Sequence, residues 1–265
     1  ITPAGSMDVV FDSGTVALAD GADLLVAATN NTGSGDSPVT LLVADGESAV
    51  KLWDANTTAD IRVVHGISDA PAVDVIANNE LVLVDALAFP MATDYLSVMP
   101  ADYLIDVVAD ADNSIVAIDD AAVTLETGMS YTAIANNELA APELDLLMDM
   151  PRRVATEAKV RIIHASPAAG SVDIYVTGDG EIADVDPAFA GVDYSTDALA
   201  ETGYVSLAAG EYFVTVTAAG TKEAAIATGS LMLDAGNVYT AIAVNGAIEG
   251  ALPQLILLDD FVATP

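Results

Sequence analysis

Residues 61–76, IRVVHGISDAPAVDVI, return as residues 160–175, VRIIHASPAAGSVDIY, at an offset of 99 that aligns Arg62 with Arg161, His65 with His164 and Asp74 with Asp173. Self-similarity at a fixed spacing marks a repeated structural unit. The correspondence continues downstream: ADYLIDVVAD from Ala101 matches GEYFVTVTAA from Gly210, and LETGMSYTAIANN from Leu125 matches LDAGNVYTAIAVN from Leu233. Both copies close on an apolar segment with acids, LDLLMD from Leu144 and LILLDD from Leu255. Working backwards, LADGADLLVAATN from Leu18 and TLLVAD from Thr40 match the later part of each copy, and VVFDSGTVAL from Val9 resembles AAIATGSLML from Ala224. The chain therefore reads as two and a half modules: a partial repeat, its second half only, at 1–52, a linker at 53–60, a repeat at 61–150, a linker at 151–158 and a repeat at 159–262.

Short runs rich in Val, Ile, Tyr and Thr, at 103–109, 131–135, 212–217 and 239–244, are bounded by Gly, Pro, Asn or Asp, which is the punctuation of strands. Tyr212, Val214 and Val216 alternate with Phe213, Thr215 and Thr217, as on a sheet with one buried face. No long segment has a helical period. The expected fold class is all-β, with tandem immunoglobulin-like antiparallel β-sandwiches of about seven strands each. The Asp-, Ala- and Gly-rich stretch 178–202 reads as a long loop with one helical turn. A hairpin centred near Ser68, and its counterpart near Pro167, would set Arg62 opposite Asp74 and Arg161 opposite Asp173 as structural ion pairs.

The 265 residues carry 40 acids against 7 bases, a formal net charge of -33, with 53% apolar residues, a mean hydropathy of +0.48 and no cysteine. Such charge opposes a phosphate backbone and excludes a nucleic-acid partner. Disulfides and thiolate metal sites are excluded by composition, so any metal would be a hard cation, such as calcium, on oxygen ligands. Of the acids 29 are Asp, a turn former, which suits short strands joined by acidic loops. An acidic coat fits an extracellular or cell-surface protein from a halophilic or marine setting. No apolar run reaches the roughly 18 residues of a membrane helix, and no positively charged leader is present. Starting at Ile1, the chain reads as processed or truncated, with any export signal already gone.

The motifs RVVHGISDAPAVDV and RIIHASPAAGSVDI, with the LxxGxxYTAIA strand, resemble the DUF4397 family across nearly all of residues 61–262. The resemblance implies exported β-sandwich modules, often in tandem on microbial surface proteins, with no catalytic assignment to transfer. The second copy departs at Pro167, Ala168 and Ala169, where the first has Ser68 to Pro71.

His65 and His164 recur once per module, which makes neither a catalytic triad nor a metal cage, so they read as histidines that close a strand end. Asp106, Asp110, Asp112, Asp119 and Asp120 are weak candidate calcium ligands, with a second acidic group at Asp179, Glu181, Asp184 and Asp186. None follows the EF-hand spacing. Asn30 and Asn56 head Asn-x-Thr sequons open to glycosylation. A glycosidase would need facing carboxylates and aromatic platforms, yet aromatics are 5% of the chain. The expected function is non-enzymatic and needs no cofactor. The protein reads as a structural subunit of a surface filament, sheath or adhesin, whose copies associate head-to-tail to complete the partial module. A secreted calcium-dependent carbohydrate- or surface-binding module is the alternative.

Overall fold

In a computed structural model, which describes residues 1–31, 36–150, 152–196, 198–248 and 250–259, the chain is built from strands in five sheets. At the N-terminus, β1 (Leu25–Asn30), β2 (Val39–Ala44) and β3 (Ala49–Leu52) form a three-stranded antiparallel sheet in the order β1-β2-β3. The resemblance of VVFDSGTVAL to AAIATGSLML predicts strands near Val9 and Val16, and the structure has none there. Their counterparts in the last module are held by the strand Gly210–Ala218, from the earlier part of that module, and among the described residues no equivalent strand lies beside the N-terminal sheet. Phe11 is buried nonetheless, and its carbonyl accepts from the Ile1 amino group at 2.7 Å.

The second module holds β4 (Ala59–His65), β5 (Val73–Ala77), β6 (Leu81–Leu87), β7 (Leu96–Val98), β8 (Ala101–Ala109), β9 (Asp112–Leu125), β10 (Ser130–Asn136) and β11 (Glu143–Asp149). They form two sheets, β11-β10-β4-β7 and β6-β5-β8-β9. Between them lie Val63, Val73, Val75, Val107, Ile118 and Ala135. The third module has β12 (Ala158–Ala165), β13 (Val172–Thr177), β14 (Phe189–Val192), β15 (Ala200–Glu201), β16 (Val205–Leu207), β17 (Gly210–Ala218), β18 (Ala224–Ala227), β19 (Leu231–Leu233), β20 (Val238–Val244) and β21 (Gln254–Asp259). Its sheets repeat the pattern: β15-β12-β20-β21, with β16 also on β12, faces β14-β13-β17-β18, with β19 on β17. Both modules are all-β sandwiches of one topology, antiparallel except for one parallel pair each, β4 with β10 and β12 with β20. The stretch 178–202 contributes β14 and β15 and no α-helical turn among its described residues; the 3-10 turn of this module is at Pro167–Ala169 instead.

The modules are not beads on a string. Along β4, Ile61 and Val63 face the interior of their own sandwich while Arg62 and Val64 face outward, and along β10 the outward residues are Thr132, Ile134 and Asn136. The outward Val64 and Ile134 pack on Ile163, Ile242, Val244 and Ile256 of the third module. The two sandwiches thus stack sheet on sheet, with an apolar layer between them as well as one inside each. This explains why Thr-Ala-Ile-Ala, common to β10 and β20, is buried throughout: a strand covered on both faces reads as continuously apolar.

The spans read as linkers are shorter than expected, since β4 begins at Ala59 and β12 at Ala158. Trp53 ties the N-terminal sheet to the second module. Gly128 sits at φ +71°, and a Cβ there would come within 2.6 Å of the Trp53 ring. Glycine both permits the turn and leaves room for the indole.

Candidate functional site

The densest polar cluster is buried where the modules meet. Arg62 Nε donates to Thr132 Oγ1 at 2.8 Å, its Nη1 pairs with Asp259, and its Nη2 lies 3.7 Å from Asp149. Arg161 pairs with Asp149, donates to the Met148 carbonyl at 3.3 Å and lies 3.5 Å from Glu201. Asp149 also accepts from the Thr132 hydroxyl at 2.7 Å and from the Tyr95 hydroxyl at 2.6 Å. Tyr95 covers Arg62 at 4.7 Å from its ring centre, and Tyr204 covers Arg161 at 4.6 Å. The contacts are reciprocal. Arg62 of the second module reaches the closing strand β21 of the third, and Arg161 of the third reaches the closing strand β11 of the second, as across an isologous interface.

The expected pairs of Arg62 with Asp74 and of Arg161 with Asp173 are therefore wrong. β4 and β5 do not form a hairpin, since the segment around Ser68 crosses from one sheet to the other, and β12 and β13 are separated in the same way at Pro167. Asp74 instead accepts from the Ala86 amide at 2.9 Å, and Asp173 from the amides of Gly191 at 2.7 Å and Gly220 at 2.8 Å. Those amides of Gly220 and Gly191 hold the Asp173 carboxyl below the usual carboxylate range.

Each histidine is fully engaged with backbone. His65 Nε2 meets the Pro71 carbonyl at 2.9 Å and His164 Nε2 the Gly170 carbonyl at 2.7 Å, while the Nδ1 atoms accept from the amides of Ile67 and Ser166 at 3.3 and 3.4 Å. This network assigns the neutral Nε2–H tautomer. Phe89 and Tyr194 stand edge-on to the two rings at 6.1 Å. Burial lowers both imidazole pKa values below the ordinary 6.5. As pH falls through about 6.5 the unfolded chain takes up protons that the folded imidazoles refuse, so stability is full above that value and declines below it. A urea midpoint followed from pH 8 to 5 should fall on the acid side, with a shallower fall in His65→Gln/His164→Gln. An identical profile in that variant would assign the loss to other groups.

The acidic hairpin separates into three places. The oxygens of Asp106, Asp119 and Asp120 lie within 4.8 Å of one another, as do those of Asp74, Asp85 and Asp110, while Asp112 stands apart and accepts from Ser114. Asp106 also accepts from the Asp120 amide at 2.8 Å, so one oxygen in each triad already fastens backbone. In the loop group, Asp179 accepts from the Glu181 amide at 3.1 Å. Asn30 and Asn56 are both exposed, and Thr32 of the first sequon lies outside the described residues.

Tyr95, Thr132, Asp149, Glu201, Tyr204 and Asp259 were not singled out from sequence. The signal available was their recurrence: acids ending both closing strands, and Tyr95 and Tyr204 at matching places after the His motif. Burial, then the charge of Asp149, raises the Tyr95 hydroxyl far above its ordinary pKa, and burial also raises Tyr204. Both phenols stay protonated at neutral pH. The cluster holds cations against anions and contains no nucleophile beside a free base, so its geometry suits fastening two modules together.

The fold and this cluster define a class, tandem all-β sandwich modules locked by a shared ion network. Residues 59–175, the second module and the first strands of the third, match the family model described as Domain of unknown function (DUF4397). No curated protein matches the chain. Among solved structures, the crystal structure of CBMbc, a family CBM26 module of Eubacterium rectale Amy13K in complex with maltoheptaose, is similar over 78% of this chain and 98% of its own, at 10% identity and a TM-score of 0.26. Among the described residues, no helix is long and apolar enough to cross a membrane.

Proposed function

We propose that the protein is a non-enzymatic structural subunit of the cell exterior, of the filament, sheath or adhesin kind, in which the N-terminal sheet of one copy joins the last module of the next. The observation that carries this reading is the open apolar sheet at residues 25–52. Val26, Val43 and Val50 are aligned across its three strands, as are Leu41 and Leu52, so one face is apolar. Val26 and Val50 are 53% and 60% exposed, and Val26, Leu41, Val43 and Leu52 line a groove of about 670 Å³ whose other wall includes Val16 and Leu18. Water against such a face is unfavourable by roughly 25 cal/mol per Å².

The edge is open too. In the complete modules the strand equivalent to β1 accepts a parallel neighbour, β4 on β10 and β12 on β20, whereas β1 ends its sheet. At the other end of the described chain β21 also ends its sheet. Copies bearing a charge of -33 repel, and contact is cheapest where acids are few. β1, LVAATN, has no charge, and β21, QLILLD, has only its final Asp. Unpaired, uncharged edges are templates for strand addition, and a head-to-tail contact that does not close propagates as a filament. Light scattering across a concentration series, with electron microscopy of the product, should show assembly by the full chain and its loss in Leu25→Asp and in Leu257→Asp. A monomer at every concentration and ionic strength would overturn the reading.

A further inference from the structure

The third module differs from the second at one core position. In the second, Ile67 is wholly buried in a cluster with Val73, Val107, Ile118 and Ala135, and Ala70 packs against it. Through the repeat, the counterparts are Val172, Val216, Ile226, Ala243 and Ala169. Ile118 and Ile226 are cross-strand partners of Val107 and Val216 respectively. The counterpart of Ile67 is Ser166. Its side chain does not fill the same space: Ser166 Oγ donates to Asn245 Oδ1 at 2.7 Å in a buried hydrogen bond. The five apolar counterparts instead line a cavity of about 370 Å³, within the size range of small-molecule sites.

His164 also lines this cavity, yet both its ring nitrogens are occupied by Gly170 and Ser166, so it offers ring surface and no free polar atom. Gly246 and Gly250 also line it and bring no side chain. Its side-chain lining is mostly alanine, valine and isoleucine, and a pocket so lined favours apolar guests. A chain of charge -33 also disfavours anionic guests such as carboxylates.

We propose that the third module binds a small neutral apolar molecule, an aromatic ring or short alkyl group, in the cavity that the second module closes with Ile67. This site is independent of the assembly edges. The test is titration of the full chain with benzene, followed by methyl NMR. Shifts should concentrate at Val172, Val216 and Ile226 and leave Val73, Val107 and Ile118 unmoved. Binding should also raise the melting temperature with benzene concentration, as any ligand selective for the folded state does. Ser166→Ile, which restores the residue of the other repeat, should abolish both effects. Ala225→Leu, on the half-buried strand that lines the cavity, should do the same and decides the matter should Ser166→Ile fail to fold. No shift in the wild-type chain, shifts surviving in a folded filled variant, or shifts spread evenly over exposed methyl groups would each overturn the proposal.

Discussion

Replacing Arg161 with methionine is expected to destabilise the chain by about 3–5 kcal/mol, measured by urea unfolding at neutral pH, because it removes one partner from a buried pair. The side chains of Arg161 and Asp149 are each 1% exposed. Without Arg161, the nearest cation left to Asp149 is Arg62 Nη2 at 3.7 Å, itself shared with Asp259. Tyr204 also loses the guanidinium it covers. Asp149→Leu should cost at least as much, since it strands Arg161 and leaves the Thr132 and Tyr95 hydroxyls without their acceptor. The double variant Arg161→Met/Asp149→Leu should cost much less than the sum of the two, because the second change then removes a charge already uncompensated. An Arg161→Met loss below about 1 kcal/mol, the level of a solvated surface pair, would show that water reaches the network and that the modules are not stacked.

The strands of both modules were legible because their apolar periods and turn residues agree at every level, and the duplication supplied each reading twice. β1 and β2 followed from the same comparison. What failed was pairing. The inference that Arg62 meets Asp74 treated the residues around Ser68 as a tight turn, and nothing local distinguishes such a turn from an arch that changes sheets. The stack of sandwiches left a clearer trace. Tyr-Thr-Ala-Ile-Ala in β10 and β20 has no polar alternation, and Arg62 and Arg161 sit mid-strand among apolar neighbours. A single buried face explains neither, whereas a second covered face explains both. Val9 and Val16 show the converse limit: their residues suit strands, but strand formation depends on a partner edge that is supplied by the other half of a module. The cavity beside His164 was visible only as a substitution, Ile67 against Ser166, whose meaning depends on where the serine hydroxyl turns.

Stacking also changes how the protein should melt. Ile134 is wholly buried in the layer shared by the modules, among Val64, Ile163 and Ile242. Ile134→Ala should cost about 2–5 kcal/mol, from lost transfer energy and the cavity left between two sheets. In a unit of this size each kcal/mol lowers the melting temperature by roughly 2–4 °C. Because β10 belongs to the second module and its Ile134 contacts to the third, the loss is borne by both. Calorimetry of the wild-type chain should show the two modules unfolding in one transition, with calorimetric and van't Hoff enthalpies in agreement. Ile134→Ala should move that whole transition down. Val107→Ala, fully buried inside the second sandwich and remote from the shared layer, should move it too, since neither module keeps its stacked face covered once the other has unfolded. Two separate transitions, with only the lower one shifted by Val107→Ala, would mean that the shared layer and its ion network contribute too little to couple the modules.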